Sequence, residues 1–210
     1  ASDCRTTICY SKFDEEYAVV TGNRSRFDIL DMLINEKRIT TDQNTVILFR
    51  NIEPMERVAA YLQEHHPEFK YSIIKGDVKA NARNVIRQDM DTSYGHILLG
   101  TYGCLQAGVN VKQLNNLVFG DPGKSMYMIM QSIGRIVRKC PGKEIATCYD
   151  IVDDASYMVH GRTLGDHVNE NYMVRHFRER MKYYNADKIP VTIEDLNGKV
   201  AADVKLDDTS

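Results

Sequence analysis

The sequence predicts an α/β protein with a three-layer arrangement, in which helices cover both faces of a parallel sheet. Two observations carry this prediction. Short apolar runs suited to strands alternate with amphipathic stretches long enough to form crossover helices. The strand-like runs are also nearly continuous in apolar residues, as is typical of parallel strands buried on both faces. A chain of 210 residues has room for the sizeable core that such a fold needs.

Strands and helices are predicted in regular alternation. The strands are 45–49, 70–76, 96–101, 115–120 and 144–152. The helices are 25–38, 53–66, 79–90 and 125–139, with a brief helical turn near Leu105. Ser25 is expected to cap the first helix, and Pro54 suits the first turn of the second. Because a strand that returns parallel to its predecessor needs a crossover, the series predicts right-handed βαβ units.

The pattern changes after Asp153, and four segments are expected. They are a linker or N-terminal extension at 1–24, the α/β domain at 25–153, a C-terminal helical appendage at 154–194 and a disordered tail at 195–210. The appendage is predicted to hold a long helix at 167–187 and a strand-like stretch at 189–193. This helix interleaves basic and aromatic residues. Either it faces DNA, or its aromatic side packs on the domain while its basic side is solvated.

Bulk composition excludes some classes of protein. The formal net charge is −2, so a nucleic acid would have to be bound by a local basic patch. The five cysteines form no C-x-x-C pair, which favours a reducing compartment over a disulfide framework or a zinc site. No apolar run approaches membrane-spanning length, and no export signal is visible. We therefore expect an intracellular, cytoplasmic protein with no membrane partner and no protein-bound metal.

The stretch FGDPGKS at 119–125 resembles a phosphate-binding loop, but its spacing is wrong. In the motif G-x-x-x-x-G-K-[ST], the four intervening residues let backbone N–H groups surround the phosphates. The required first glycine would fall at Val118, and Pro122 removes one backbone donor. We interpret the stretch as a strand-to-helix turn, with Ser125 as the helix N-cap and Lys124 as a contact to a backbone phosphate.

The helix at 125–139 carries the most informative pattern in the chain. At about 100° per residue, one stripe opposite the apolar face contains Gln131, Gly134, Arg135 and Arg138. No acidic residue occurs within 122–143, so the arginines lack local ion-pair partners. Gly134 disfavours the helix but leaves room for a second surface. Two arginines one turn apart favour a polyphosphate site, and the alternative is a solvated basic face.

The segment 100–119 carries a second pattern. Thr101 ends a predicted strand, and the carboxyl edge of an open parallel sheet is where such folds bind ligands. Its hydroxyl and the neighbouring backbone N–H groups can donate to an anion. Gly108 and Asn110 make a second turn before the next strand. The alternative is an ordinary strand-to-helix loop.

Four stretches together resemble a known family. They are TVILFRN at 45–51, IKGDVKANAR at 74–83, ILLGTYGCLQAGVNV at 97–111 and QSIGRIVRK at 131–139. In this order they resemble motifs IV, IVa, V and VI of superfamily 2 helicases, with a likeness that extends over residues 25–190. The pattern D-x-[IV]-D-D at 150–154, followed by a basic helix, is similar to the recombination and branch-migration DNA helicases of T4-type phages. The resemblance implies the second RecA-like domain of such a motor.

The resemblance also implies a role for each candidate residue. Arg135 and Arg138 would reach across a cleft to the β- and γ-phosphates of ATP as arginine fingers. Gln131 would couple the nucleotide to the cleft, which Gly108 and Asn110 would line. Contacts to the phosphates and sugars of a nucleic acid are implied for Arg50, Asn51, Gly76, Thr101, Tyr102 and Lys124.

Two motifs of a complete motor are absent from the sequence. It contains no G-x-x-x-x-G-K-[ST] and no D-E-x-[HD] box. ATP and Mg²⁺ are therefore expected to be held mainly by an N-terminal RecA-like half outside these residues. The leading hypothesis is the second motor domain of an ATP-dependent DNA helicase or translocase, which acts on single-stranded or branched DNA in recombination and repair. The chain would be an enzyme as part of that complete ATP hydrolase.

Two alternatives stay open. The first is a non-catalytic RecA-like module that binds nucleic acid or regulates a partner. The paired arginines count against it, because such a module needs no fingers. The second is a small α/β enzyme that uses His65–His66 or His160, although adjacent histidines at a helix end are more typical of a cap or a surface.

Overall fold

Five parallel strands form the centre of the molecule. The computed structural model describes residues 13–76, 78–103, 111–121, 133–134, 143, 145–154 and 171–194. Within them the strands are β1 Thr45–Phe49, β2 Lys70–Ile74, β3 His96–Thr101, β4 Asn116–Phe119 and β5 Thr147–Asp150, in the sheet order β2-β3-β1-β4-β5. All four strand pairs are parallel. The predicted α/β class is confirmed, and the strands at 45–49 and 96–101 have the predicted bounds.

Five helices are described around this sheet. They are α1 Phe13–Gly22, α2 Ser25–Asn35, α3 Ile52–His65, α4 Ala80–Thr92 and α5 Tyr172–Ala186. Helix α1 was not predicted, because it lies in the segment interpreted as a linker or extension. The predicted helix at 125–139 and the turn near Leu105 lie outside the described residues, apart from Ile133 and Gly134, which are both helical.

Two local predictions are wrong. Ser25 does not cap α2: it is the first residue of the helix, and its own backbone N–H donates to Asn23 Oδ1 at 3.1 Å. The side chain of Asn23 therefore takes the role expected of Ser25, two residues earlier. The stretch at 189–193 forms no regular strand, and Glu194, which follows it, makes an isolated bridge.

The period of two along each strand divides the core into two clusters, one on each face of the sheet. Val46 and Leu48 of β1 point to one face, while Ile47 and Phe49 point to the other. Helices α2 and α3 cover the second face, with Leu33 and Leu62 buried against it. On the first face lie Met90 of α4, Ile133, and Met181 and Tyr184 of α5. The result is the predicted three-layer arrangement.

Helix α5 packs on the domain through its apolar side. Met173, Met181 and Tyr184 are buried, whereas Arg175 and Lys182 are exposed. The apolar side therefore docks on the domain and Arg175 and Lys182 are solvated, whereas the basic residue Arg180 is buried. Within the described residues, no helix has the length and apolar character needed to cross a lipid bilayer.

Candidate nucleic-acid interface

The carboxyl ends of the parallel strands place several predicted contacts at one edge of the sheet. Phe49 is the register partner of Thr101, and Arg50 and Asn51 follow Phe49 directly. Ile74 is the partner of Gly100 on the other side of β3. Gly76, Thr101 and the Arg50–Asn51 turn therefore lie at the ends of three neighbouring strands, at the edge where open parallel sheets bind ligands.

The backbone at this edge is open to an approaching ligand. Arg50, Asn51 and Gly76 are exposed, and Thr101 is half-buried. A Cβ added to Gly76 would meet no atom within 4 Å. The carbonyl of Gly76 accepts a hydrogen bond of 3.2 Å from Arg83, which fixes the turn after β2. These groups suit contacts to a sugar-phosphate backbone, which carry little sequence information.

Tyr102 differs from this set, because its side chain does not lie at the edge of the sheet. Its side chain belongs to the core, is 6% exposed and stacks on the ring of Phe119 at a centroid distance of 6.1 Å. Burial raises the pKa of the Tyr102 phenol well above its usual value of 10. Its hydroxyl is buried with no hydrogen-bond partner in the described part of the chain. Only the backbone of Tyr102 remains available at the edge.

Asp121 connects the neighbouring strand ends, although the sequence analysis treated it only as part of a turn. Its carboxylate is 2% exposed and accepts hydrogen bonds from the Tyr17 hydroxyl and the Arg50 backbone N–H. A hydrogen bond from the backbone of Asn51 also stabilises the charged form. Asp121 reaches this position because β4 ends against β1: a Cβ on Gly120 would lie 2.6 Å from the Phe49 ring. Asp121 thus ties the Arg50–Asn51 turn to the end of β4.

Arg26 joins a further pair of strand ends. It lies on α2, is 2% exposed and donates to the carbonyl of Gly120 and to the carboxylate of Asp153. Its guanidinium also lowers the pKa of the Asp121 carboxyl, against the larger effect of burial. The ends of β1, β4 and β5 are therefore linked by buried charged groups that no sequence pattern had marked.

The model of the helicase conserved C-terminal domain matches residues 25–140, which is more than half of the chain. The chain belongs to this helicase C-terminal family. The match includes the whole edge from Arg50 to Asp121, whereas α1 and α5 lie outside it.

Individual relatives of this helicase C-terminal domain agree with the assignment. The chain is 26% identical over 186 residues to the ATP-dependent DNA helicase uvsW of Enterobacteria phage T4, covering 88% of the chain and 36% of that protein. The crystal structure of T4 UvsW matches with a TM-score of 0.67 at 24% identity, over 84% of this chain and 35% of that one. The chain thus spans about a third of the length of these relatives.

A structure from another helicase group shares the fold. The C-terminal domain of the DEAD-box protein Dbp5 matches with a TM-score of 0.55 at 16% identity, over 78% of this chain and 81% of that chain. Together with the UvsW likeness, this confirms the predicted RecA-like fold. The predicted likeness to a T4-type phage helicase is confirmed as well.

The nucleotide-side predictions for this helicase C-terminal domain lie outside the described residues. They concern Gly108, Asn110, Gln131, Arg135 and Arg138. Lys124, which is predicted to contact a nucleic-acid backbone, also lies outside the described residues. Two neighbours of the arginines are described and agree with the predicted helical faces. Ile133 is 7% exposed within the core, and a Cβ on Gly134 would meet nothing within 4 Å.

The two adjacent histidines lie away from this edge. His66 precedes β2, at the amino end of the sheet, and its Nε2 is 2.7 Å from Asp31 Oδ1. Asp31 also accepts from the Tyr61 hydroxyl, and the exposed His65 ring stacks on Tyr61 at 4.0 Å. The pair thus joins α2 to α3, away from Thr101. His160 lies outside the described residues.

Sequence reasoning missed α1, although a signal was present. Phe13, Tyr17 and Val20 recur at the i, i+4, i+7 spacing of one helical face. All three belong to a small cluster with Met173 of α5. The burial of Asp121 had no such signal, because a carboxylate after Gly120 reads equally well as a solvated turn residue.

The buried carboxyl of Asp121 gives a testable pH dependence. Burial raises its pKa from the usual 3.8 to about 6, against the opposing hydrogen bonds from Tyr17 and Arg50. A group whose pKa is higher in the folded state contributes stability below the unfolded pKa and loses it as pH rises. The difference between 3.8 and about 6 is worth about 3 kcal/mol.

The quantity to measure is the difference between the free energy of unfolding of the wild type and that of the Asp121→Asn variant. This difference should fall by about 3 kcal/mol as pH rises from about 3 to about 7, because the Asn variant lacks the Asp121 titration. Urea unfolding of both proteins across this range measures it. A difference that does not change with pH would contradict a buried, ionising Asp121.

Proposed function

We propose that this chain is the second motor domain of an ATP-dependent DNA helicase or translocase that remodels branched DNA in recombination and repair. The family match over residues 25–140 carries the proposal, since this family is the C-terminal domain of helicases. The likeness to a phage ATP-dependent DNA helicase supports DNA as the nucleic acid. The gathering of Arg50, Asn51, Gly76 and Thr101 at one sheet edge supplies a site for it.

The nucleic-acid contacts follow from this geometry. Arg50 presents an exposed guanidinium, which suits a phosphate because its planar fork donates two parallel hydrogen bonds. Asn51 and Thr101 add amide and hydroxyl groups at neighbouring strand ends. The open backbone of Gly76 admits a sugar or phosphate at close range. Lys124 is proposed to add a charge after β4, and the backbone of Tyr102 a donor after β3.

The nucleotide contacts are proposed for the predicted helix at 125–139 and for the predicted turn that contains Gly108 and Asn110. Gln131, Arg135 and Arg138 carry hydrogen-bond donors, as do the backbone groups of Gly108 and Asn110. The two guanidinium groups suit phosphate oxygens and cannot ligate Mg²⁺, which requires oxygen ligands. We therefore propose that these residues form one wall of an ATP site. A second RecA-like half would hold most of the ATP and the Mg²⁺.

The mechanism assigned to this chain is electrostatic. ATP, when bound between the two halves, supplies the phosphoryl group that is transferred to water. Arg135 and Arg138 stabilise the negative charge that develops on it. Gln131 couples the presence of the nucleotide to the opening and closing of the cleft. Closing and opening of the cleft then moves the Arg50–Thr101 edge along one DNA strand.

The remaining assignments follow from this role. The proposed partners are single-stranded or branched DNA and the N-terminal RecA-like half, without a membrane. A motor on cellular or phage DNA works inside the cell, in the host cytoplasm if a phage encodes it. The proposed segments are a linker or extension at 1–24, the motor domain at 25–153, the helical appendage at 154–194 and the tail at 195–210. Contacts of Glu16 and Asp121 cross the first boundary.

The 210-residue chain alone is expected to hydrolyse no ATP and to bind DNA weakly, with an affinity that falls steeply with salt. ATP turnover with and without single-stranded DNA, and fluorescence anisotropy of a labelled oligonucleotide at two salt concentrations, measure both properties. A protein that includes both motor halves should show DNA-stimulated turnover. Robust hydrolysis by the chain alone would overturn the proposal, and DNA binding without any turnover by the complete protein would favour the non-catalytic module.

A further inference from the structure

Helix α1 is built into the helicase domain, although it lies outside the residues that match the family model. Glu16, which is 1% exposed, accepts hydrogen bonds from the backbone N–H groups of Tyr172 and Met173 at 2.8 and 2.9 Å. Its carboxylate also accepts from the Asn171 side chain at 2.9 Å. Glu16 thus satisfies the free N–H groups at the start of α5, a favourable place for a negative charge.

Two rings of α1 are held in place from both sides. Phe13 and Tyr17 lie 5.9 Å apart, and we call this pair the aromatic shelf. On one side, the Phe13 ring packs on the rings of Tyr172 and His176 of α5, at centroid distances of 5.9 and 5.2 Å. On the other side, the Tyr17 hydroxyl donates a hydrogen bond to the buried carboxylate of Asp121. Neither ring can move without disturbing one of these contacts.

The guanidinium of Arg50 lies over this shelf. Its central carbon is 4.9 Å from the centre of the Phe13 ring and 5.4 Å from that of the Tyr17 ring. The backbone N–H of the same residue donates to Asp121, so Arg50 is fixed at both its main chain and its head group. The residue is nevertheless exposed, and none of the ion pairs between described residues involves it.

A guanidinium that rests on a ring uses its flat face and leaves its N–H edges free for other partners. A long side chain that is already held in one conformation also loses less entropy when a ligand binds, so that binding costs less free energy. Both effects suit a residue that binds a backbone phosphate. The charge of the group is not neutralised by stacking, so its attraction for a phosphate is retained.

We propose that α1 is a positioning element of the nucleic-acid site, in which the aromatic shelf holds the Arg50 guanidinium ready for a DNA backbone phosphate. This inference rests on the proposed function and adds to it a segment outside the matched family domain. Phe13 and Tyr17 are positioning residues, since they act through Arg50 and do not themselves touch the DNA.

The test is a double-mutant cycle on DNA affinity in the full-length protein without nucleotide. Fluorescence anisotropy of a labelled single-stranded oligonucleotide compares the wild type, Phe13→Leu, Arg50→Ala and the double variant. Phe13→Leu is expected to weaken binding roughly twofold to fivefold, the size of an exposed cation–π contact. In the Arg50→Ala background it should have no further effect. Arg50→Ala itself should lower the salt dependence of log K by about 0.7, for one lost phosphate.

Two controls separate positioning from general stability. Val19 lies on the same helix and is 45% exposed, so Val19→Ala should leave the affinity unchanged. Arg50→Lys keeps the charge but loses the flat guanidinium, and should weaken binding about as much as Phe13→Leu. Because Arg50 is exposed, this variant tests the inference even if Phe13→Leu does not fold.

Four results would overturn the inference, and the first three concern Phe13→Leu and Arg50→Lys. They are an equal effect of Phe13→Leu with and without Arg50, tighter binding by Phe13→Leu, and full binding by Arg50→Lys. The second would mean that the shelf withholds Arg50 from DNA. An Arg50→Ala variant with unchanged affinity also overturns it, but leaves the proposed function standing if DNA still stimulates ATP turnover. Loss of the proposed function itself would appear as a wild type that neither binds DNA nor hydrolyses ATP.

Discussion

In a protein that carries both motor halves, Arg138→Ala is expected to slow DNA-stimulated ATP hydrolysis by roughly 10³-fold or more. The reason is that an arginine finger interacts with charge that develops only in the transition state. Its removal should therefore lower kcat and change the KM for ATP much less. Steady-state turnover at saturating DNA, measured over a range of ATP concentrations, separates the two parameters.

Helical spacing and two described neighbours support this role for Arg138. Arg135 and Arg138 are three residues apart, so they share a face of the helix. Ile133 is buried in the core, and Gly134 beside the arginines opens to free space. These two residues therefore lie as predicted, with Ile133 in the core and Gly134 exposed.

Lys139→Ala is the matched control for this experiment. It removes the same charge from the adjacent position, about 100° around the helix and off the predicted stripe. Turnover by this variant should stay close to that of the wild type. A wild-type kcat in Arg138→Ala would remove the finger assignment, whereas an equal loss in both variants would indicate a general effect of charge.

The sequence predicted the sheet better than the site, for a physical reason. The strands at 45–49 and 96–101 are nearly continuous apolar runs, so their local composition indicates that both faces are buried. The contacts at the sheet edge depend on which strand ends become neighbours. Asp121 meets Tyr17 across 104 positions of sequence, and no local pattern encodes such a distance.

The sequence motifs named residues of the sheet edge but not the residues that support it. Arg50, Asn51, Gly76 and Thr101 were chosen from the family resemblance, and the parallel topology brings them to one edge. Tyr102 was grouped with them because of its place in the motif. Its side chain instead enters the core, since residues that follow one another at a strand end point to opposite faces.

Arg180 is a second residue whose role the sequence concealed. In the sequence it is one of several basic residues on an amphipathic helix, and a solvated charge is the ordinary interpretation. In the structure it is 1% exposed. Its Nε and one terminal nitrogen donate to the two carboxylate oxygens of Asp150 at 2.7 and 2.8 Å. The Tyr184 hydroxyl donates to the same carboxylate at 2.9 Å.

Arg180→Ala is expected to lower the free energy of unfolding by about 3–5 kcal/mol. It leaves the Asp150 carboxylate, whose side chain is only 12% exposed, without its main partner. A domain with a total stability of about 5–15 kcal/mol loses a large part of it. Urea unfolding followed by circular dichroism measures the change. The effect arises from an uncompensated charge and not from the strength of the ion pair, so removal of both partners should cost less.

Two further variants distinguish these causes. Asp150→Leu combined with Arg180→Met replaces the pair by apolar groups and should recover much of the stability lost in Arg180→Ala. Lys182→Ala removes an exposed cation on the same helix, 2.8 Å from Glu179, and should cost less than about 1 kcal/mol. Equal losses in Arg180→Ala and Lys182→Ala would mean that the buried pair does not form in solution.

The cooperativity of the transition shows how far the effect of Arg180 extends. Helix α5 is joined to the sheet by Arg180 and to α1 by the bonds from Tyr172 and Met173 to Glu16. If α5 detaches before the sheet unfolds, Arg180→Ala should show a lower m-value and a separate early transition. Because Phe13 packs on α5, that early transition should also weaken DNA binding through Arg50. An unchanged m-value would instead mean that α5 and the sheet unfold as one unit.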